Sequence, residues 1–193
     1  MRIISATQNK HKLEEIYAII KNYDMELVTL ENAGFEPLEI EENGKTCEKN
    51  SLIKAKAVTD LTGEPAIADD TGLFVDAAGG EPGVNSARYS GVHGDDAANR
   101  AKLLKKLEGV PYEKRTAMFV TVITLTYPDG KTLVARGECH GHISEEERGD
   151  RGFGYDSIFI PVESDKTFAE LPAEFKNSIS HRKRALEKLE ELL

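Results

Sequence analysis

Five short stretches of this chain bring together residue types at spacings that could do chemistry. ATQNKHK, residues 6–12, falls where a strand-like run gives way to a helix-like one. A helix start presents unpaired N–H groups and the positive end of the dipole, and Asn9, Lys10 and Lys12 add donors and charge. That mixture suits an anion such as phosphate. The glycine spacing of a Walker A loop is missing, which excludes the ordinary P-loop arrangement. A capped surface helix with solvated lysines would use the same residues.

In IADDTG, residues 67–72, Asp69 and Asp70 are strand neighbours and so point to opposite faces. One can enter a cleft while the other braces a loop. A carboxylate at a strand end beside Thr and Gly can ligate Mg²⁺ or serve as a general base. An Asx-type turn has the same composition. EIEENGKT, residues 39–46, sets three acidic residues before a turn and a helix. They could complement the helix dipole, or one could join an Asp from elsewhere around a hard metal.

SISHRKRAL, residues 178–186, offers Ser180 as a helix cap and puts His181 and Arg182 in the first turn. Cations there oppose the dipole, a misfit best understood with an anion or acceptor opposite; an exposed basic helix is the plainer reading. RGFGYDS, residues 151–157, sets Phe153 and Tyr155 among Gly149, Gly152 and Gly154 and ends against Asp156. Glycines let a backbone approach a flat or charged partner closely. His140 and His142 share a strand face but have no third ligand nearby, which favours an ordinary polar surface. Phosphate donors, a carboxylate pair, an aromatic among glycines and a late basic turn are the four contacts a nucleotide needs.

The elements that must position these groups alternate irregularly. Arg2–Ala6 reads as a buried strand, and Leu13, Ile16, Tyr17 and Ile20 mark a helix from about Lys10 to Asn22, capped by Asn9. Met25–Leu30 reads as a strand and Thr46–Thr62 as a helix ending at Gly63. Ala66–Asp69 and Leu73–Val75 are short strands around a turn, followed by a Gly/Pro loop and a helix near Asp95–Leu107. Thr116–Tyr127 and Thr132–His142 form a hairpin across Pro128-Asp129-Gly130. A strand around Ser157–Ile160 and a helix from Ser180 complete a mixed α/β order, not a regular βαβ series.

Bulk properties narrow the classes. With 193 residues, the expectation is one domain over 1–193. The 34 acidic residues outnumber 25 basic ones, giving −9, which argues against a sequence-independent grip on nucleic acid. Cys47 and Cys139 are distant and outside any CxxC, so a reducing, cytoplasmic setting is expected. No apolar run approaches a membrane span of roughly 20 residues, and the start enters a strand at once, with no cleavable signal expected.

The motifs resemble, nearly end to end and in order, the Ham1/RdgB/inosine triphosphatase family of house-cleaning nucleoside triphosphate pyrophosphatases. ATQNKHKLEE (6–15), EENGKT (41–46), KNSLIKA (49–55) and PAIADDTGL (65–73) carry the first half of the likeness. GGEPGVNSARYSG (79–91), GFGYDSIF (152–159), KTFAEL (166–171) and SHRKRAL (180–186) carry the second. Departures are Thr71 for Ser, Ser157 for Pro, Lys49 and Ser51 for Glu and Ala, and Phe175 for an acidic residue. The resemblance implies a mixed α/β fold in which an elongated, twisted mixed sheet floors a cleft between two lobes, as a homodimer. The implied reaction is NTP + H₂O → NMP + diphosphate, with Mg²⁺, on ITP, dITP and XTP.

By the same resemblance, Thr7, Gln8, Asn9, Lys10, His11 and Lys12 cradle the triphosphate, and Lys54 adds charge. Glu42 and Asp70 look like Mg²⁺ ligands, with Asp70 also the proton acceptor, Asp69 its support and Thr71 a substrate contact. Arg88 could reach the phosphates. Phe153 looks like the stacking face for a purine, with Gly154, Tyr155, Asp156 and Lys176 around it. Donors from His181 and Arg182 would donate to the 6-oxo group of hypoxanthine or xanthine and clash with the 6-amino group of adenine. Competing readings are a Maf-type pyrophosphatase on modified nucleotides, a nucleotide sensor without turnover, and an RNA-binding module. The SHR turn and GFGYD loop argue against the first, the Glu42/Asp70 pair against the second, and the net charge against the third.

Overall fold

Short runs of β-branched residues and amphipathic helices alternate along the chain, and the computed structural model describes residues 1–20 and 24–193. The expected helix end at Asn22 therefore lies outside the described residues. Strands are β1 (Arg2–Ser5), β2 (Glu26–Thr29), β3 (Ala66–Val75), β4 (Pro82–Gly83), β5 (Thr116–Thr126), β6 (Thr132–Ile143) and β7 (Phe159–Pro161). Helices are α1 (Lys10–Ile20), α2 (Cys47–Thr62), α3 (Asp96–Lys106), α4 (Ala173–Ile179) and α5 (His181–Glu190). The sheet is mixed and open, in the order β2-β1-β3-β5-β6-β7 with β4 against β3. Strand β1 pairs in parallel with β2 and β3, whereas β3–β4 and β6–β7 are antiparallel.

The chain divides into two compact units. The first comprises residues 1–70, 121–137 and 182–193. Its apolar groups include Ile3, Ile67, Ile123, Leu125 and Leu186, with a second cluster around Ile4, Ala55 and Val58. Helix α1 is capped as expected, since Asn9 Oδ1 accepts the Lys12 N–H at 3.2 Å. Helix α2 opens on Thr46, whose hydroxyl accepts the Lys49 N–H, and closes on Gly63 at φ 69°. Ser51 and Thr59 of α2 meet Thr124 and Thr126 of β5 at 2.7 and 2.6 Å, so small hydroxyls satisfy one another beneath the helix.

The second unit comprises residues 71–120 and 138–181. Its core holds Leu73, Leu103, Phe119, Phe159 and Phe168, with the three phenylalanine rings 4.6 to 6.1 Å apart. Two expectations are corrected here. The two short runs around Asp70-Thr71-Gly72 form one continuous strand, because Gly72 serves close approach and not a turn. A Cβ at Gly72 would meet the Gly83 carbonyl oxygen at 2.7 Å. The sequence also gave no sign of α4, whose seven residues are too few to show a period and whose cap position, Pro172, makes no side-chain bond.

Candidate active site

The first unit gathers a cluster of opposite charges from five separate segments. At the β1–α1 junction Ser5 Oγ accepts the Thr7 N–H, Thr7 Oγ1 accepts the Asn9 N–H, and Asn9 caps the helix. The turn is thus built by its own hydroxyls and amide. Gln8 Nε2 donates to the Leu38 carbonyl at 3.3 Å, while Lys10 and His11 are exposed and His11 lies 3.9 Å from Glu14. No acidic residue stands in the first turn of α1, so its cationic start keeps the character an anion would meet. Lys12 Nζ lies 3.0 Å from Asp69 Oδ2.

Strand β3 delivers Asp69 and Asp70 to different neighbours, as alternation requires. Asp69 answers to Lys12 and, at 3.3 Å, to Arg182. Asp70 answers to Lys54 at 3.2 Å, and Lys54 also holds Glu42 at 3.1 Å. Asn50 and Lys54 lie one helical turn apart on α2 and so face the same way. Asn50 Nδ2 donates to Asp70 at 3.4 Å, while its Oδ1 accepts the Gly44 N–H at 2.8 Å. One amide thereby fixes both Asp70 and the loop that carries Glu42. Arg182, 1% exposed, donates to Glu15 of α1 as well as to Asp69. The basic first turn of α5 therefore does have acceptors opposite it.

The second unit builds a different group around its Gly-rich loop. Gly149, Gly152 and Gly154 all adopt positive φ, and a Cβ at Gly152 would run into the Asp156 carboxylate. Asp156 Oδ2 accepts the Phe153 N–H at 3.0 Å and lies 2.6 Å from Lys176 Nζ in a buried ion pair. That ammonium stands 5.3 Å from the centre of the Phe153 ring, within cation–π reach. Tyr155 is buried and its hydroxyl donates to the Ser86 carbonyl at 2.8 Å, which makes it a structural peg. His181, also buried, stacks on Phe119 at 4.7 Å. Thr71 begins this unit and is half-buried; Arg88 is exposed, its Nε donating to Asn85 at 3.3 Å.

Residues 3–192 match the Ham1 family as a whole. The chain belongs to the Ham1 family. It is 52% identical over 192 residues to the dITP/XTP pyrophosphatase of Geobacter sulfurreducens, covering 100% of this chain and 96% of that one. A HAM1 protein of Coxiella burnetii superimposes with a TM-score of 0.88 at 38% identity, over 100% of this chain and 98% of that one. A nucleoside-triphosphatase (dITP/XTP pyrophosphatase) of Mycobacterium abscessus does so at 0.79 and 45% identity, over 98% of each.

Within this Ham1 chain the two neighbouring aspartates differ electrostatically. Burial alone would push Asp69 up, but Lys12 and Arg182 outweigh it and hold the carboxyl well below its ordinary value. Asp70 goes the other way: burial, reinforced by Glu42, raises it against the pull of Lys54 and Lys12. Burial would also lower Lys54, yet Asp70, Asp69 and Glu42 raise it. Cys47, packed beside Asp70, is pushed up to about 12 by burial and then by that carboxylate, so the thiol is inert. The result is one fixed anion next to one carboxyl tuned toward proton exchange.

Sequence reasoning missed two members of the Ham1 cluster. Asn50 sits four residues before Lys54, a helical spacing that could have flagged it. Glu15 lies three residues beyond Lys12 on the same face of α1, and only the fold brings Arg182 to it. Among the described residues, no three His, Cys, Asp or Glu side chains converge as a closed metal cage. His140 and His142 take separate neighbours, Glu138 at 3.6 Å and the Tyr112 ring at 5.0 Å.

Proposed function

We propose that this chain hydrolyses non-standard purine nucleoside triphosphates (ITP, dITP and XTP) to the monophosphate and diphosphate. The family membership and a 52%-identical relative that is a dITP/XTP pyrophosphatase support the reaction class. The observation that carries it is the Lys54 ammonium shared between Glu42 and Asp70, with Asp69 held ionised beside it. Asp70, buried and raised, is suited to take the proton of the attacking water as its oxygen bonds to the α-phosphorus and diphosphate departs. Lys12, Lys54 and the cationic start of α1 are suited to the negative charge of the phosphates.

A divalent ion fits the donor set. Glu42 and Asp70 are hard carboxylate oxygens from different segments already gathered about one positive charge, the pattern a Mg²⁺ ion with several waters accepts. We assign Glu42 and Asp70 as its ligands; bound there, such an ion supplies charge neutralisation to the phosphates. Asn50 braces the Asp70 carboxylate and, through the Gly44 N–H, the loop that carries Glu42.

The nucleobase end of the reading falls to Phe153, Gly154, Asp156 and Lys176, with the His181–Arg182 turn supplying 6-oxo discrimination. The single-domain, homodimeric and cytoplasmic assignments belong to the same proposal. No described helix is long and apolar enough to cross a membrane. A nucleotide panel with product identification tests the whole: diphosphate should leave ITP, dITP and XTP far faster than ATP or GTP. Equal rates on all, or release of single phosphates, would sink it. Light scattering on the purified chain should give twice the 21.3 kDa mass.

A further inference from the structure

Helix α3 does more than fill the core of the second unit. Asp96 and Arg100 lie four residues apart, so both side chains leave one face of the helix. Asp96 Oδ2 accepts the Gly154 N–H at 2.8 Å, and Arg100 Nη1 donates to the Gly154 carbonyl at 2.7 Å. Both polar atoms of one glycine are thus taken by one helix. Gly154, at φ 60°, has no side chain to anchor it, so the attitude of its peptide rests on these bonds. Arg100 Nε also lies 3.0 Å from Glu147, whose carboxylate accepts the Ser157 hydroxyl at 3.1 Å. The helix therefore grips the loop before and within its turn, and Glu147 carries the link on to Ser157.

The support is stiff. Asp95 takes over the capping of α3, accepting the Ala98 N–H at 3.0 Å, which leaves Asp96 available to the loop. Leu103 is fully buried, Asn99 Oδ1 accepts the Ser90 N–H at 2.7 Å, and Lys102 Nζ donates to the Tyr89 carbonyl at 2.7 Å. The bonds inside the loop, from Phe153 to Asp156 and on to Lys176, fix the shape of the turn. The Lys176 ion pair ties the turn to α4 and the Tyr155 hydroxyl pegs it to Ser86, while α3 holds both polar atoms of the Gly154 peptide.

We propose that Asp96 and Arg100 are positioning residues that set the orientation of the Phe153 ring and so the strength of nucleobase stacking. They act through Gly154 and touch no reacting atom. The effect on nucleotide affinity rests on the proposed function; the clamp on the loop does not.

The chain contains no tryptophan, so Phe153→Trp places a single indole on the loop. In that background Asp96→Ala and Arg100→Ala are compared by acrylamide quenching and anisotropy, without nucleotide. The quenching constant should rise about twofold as the loop opens locally, while far-UV circular dichroism keeps one cooperative melt. With Phe153 restored, each alanine variant should raise KM for ITP about tenfold and leave kcat within about twofold. Inhibition by inorganic triphosphate, which has no nucleobase, should not change. Asp96→Asn, which keeps an acceptor, and Arg100→Lys, which keeps one donor, should recover part of the loss.

Unchanged quenching in both alanine variants overturns the clamp, whatever the substrate. A wild-type chain inactive on ITP whose variants still show raised quenching sinks the functional reading alone. Equal weakening of ITP and inorganic triphosphate means general loosening of the unit, and it overturns the positioning role.

Discussion

Asp69 and Asp70, adjacent in the chain, answer to different cations: Asp69 to Lys12 and Arg182, Asp70 to Lys54. Strand alternation separates them, and the separation assigns them different work. Asp69 is a fixed anion inside a frame of positive charge. Asp70 is the carboxyl whose raised proton affinity matches proton transfer.

Replacing Asp70 by Asn keeps shape and hydrogen bonding to Asn50 but removes the proton acceptor. Turnover of ITP should fall by about 10²- to 10⁴-fold, with nucleotide still bound in calorimetry. A variant with wild-type kcat would take Asp70 out of the mechanism.

Asp69 makes the opposite prediction, about stability. Its folded-state proton affinity is depressed from an ordinary value of 3.8, so its contribution is fully present above that value. The contribution drains away as pH falls below 3.8 toward the depressed value. Asp69→Asn should therefore cost about 3 to 5 kcal/mol at neutral pH, since the buried Arg182 guanidinium loses one of its two carboxylates and the part-buried Lys12 loses its own. Its urea midpoint should also vary less between pH 5 and pH 2 than that of the wild type. Parallel acid profiles would refute the assignment.

Asn50→Ala should lower activity or metal affinity by about 10- to 100-fold, the usual effect of losing an outer support. The cause is double: Asp70 loses a donor and the buried Gly44 N–H loses its acceptor. Titrating divalent ion into the metal-free variant by calorimetry separates weaker metal binding from slower chemistry. Wild-type values for both would leave Asn50 a bystander.

Much of this frame could be read before the fold was known, and all but one of the exceptions share a cause. Local chemistry was legible: the Asn9 cap, the Thr46 and Gly63 ends of α2, and the opposed faces of Asp69 and Asp70 all follow from near neighbours. Gly72 misled because a glycine in a β run signals a turn and close backbone approach equally, and only Gly83 opposite decides between them. Asn50 looked like any polar residue of a helix until the loop bearing Gly44 folded over it. Glu15 and Arg182 are 167 positions apart, and no local pattern pairs residues at that distance. Helix α4 was hidden by its length.

The Glu15–Arg182–Asp69 arrangement yields the last test. Arg182 is 1% exposed and divides its guanidinium between two carboxylates from different elements. Arg182→Ala should cost about 3 to 5 kcal/mol, because buried Asp69 and part-buried Glu15 lose their shared donor. Arg182→Lys should rescue little, since a single ammonium cannot reproduce a planar fork that reaches both. Glu15→Ala should cost less than Asp69→Asn, because Asp69 still keeps Lys12 when Glu15 is gone. Urea denaturation of Glu15→Ala, Arg182→Ala and their double variant gives the coupling energy. Near-zero coupling would mean that the pair contributes nothing to the frame. Wild-type stability of Arg182→Ala would take Arg182 out of the carboxylate frame, and an unchanged ITP-to-ATP ratio would take it out of the proposed nucleobase discrimination.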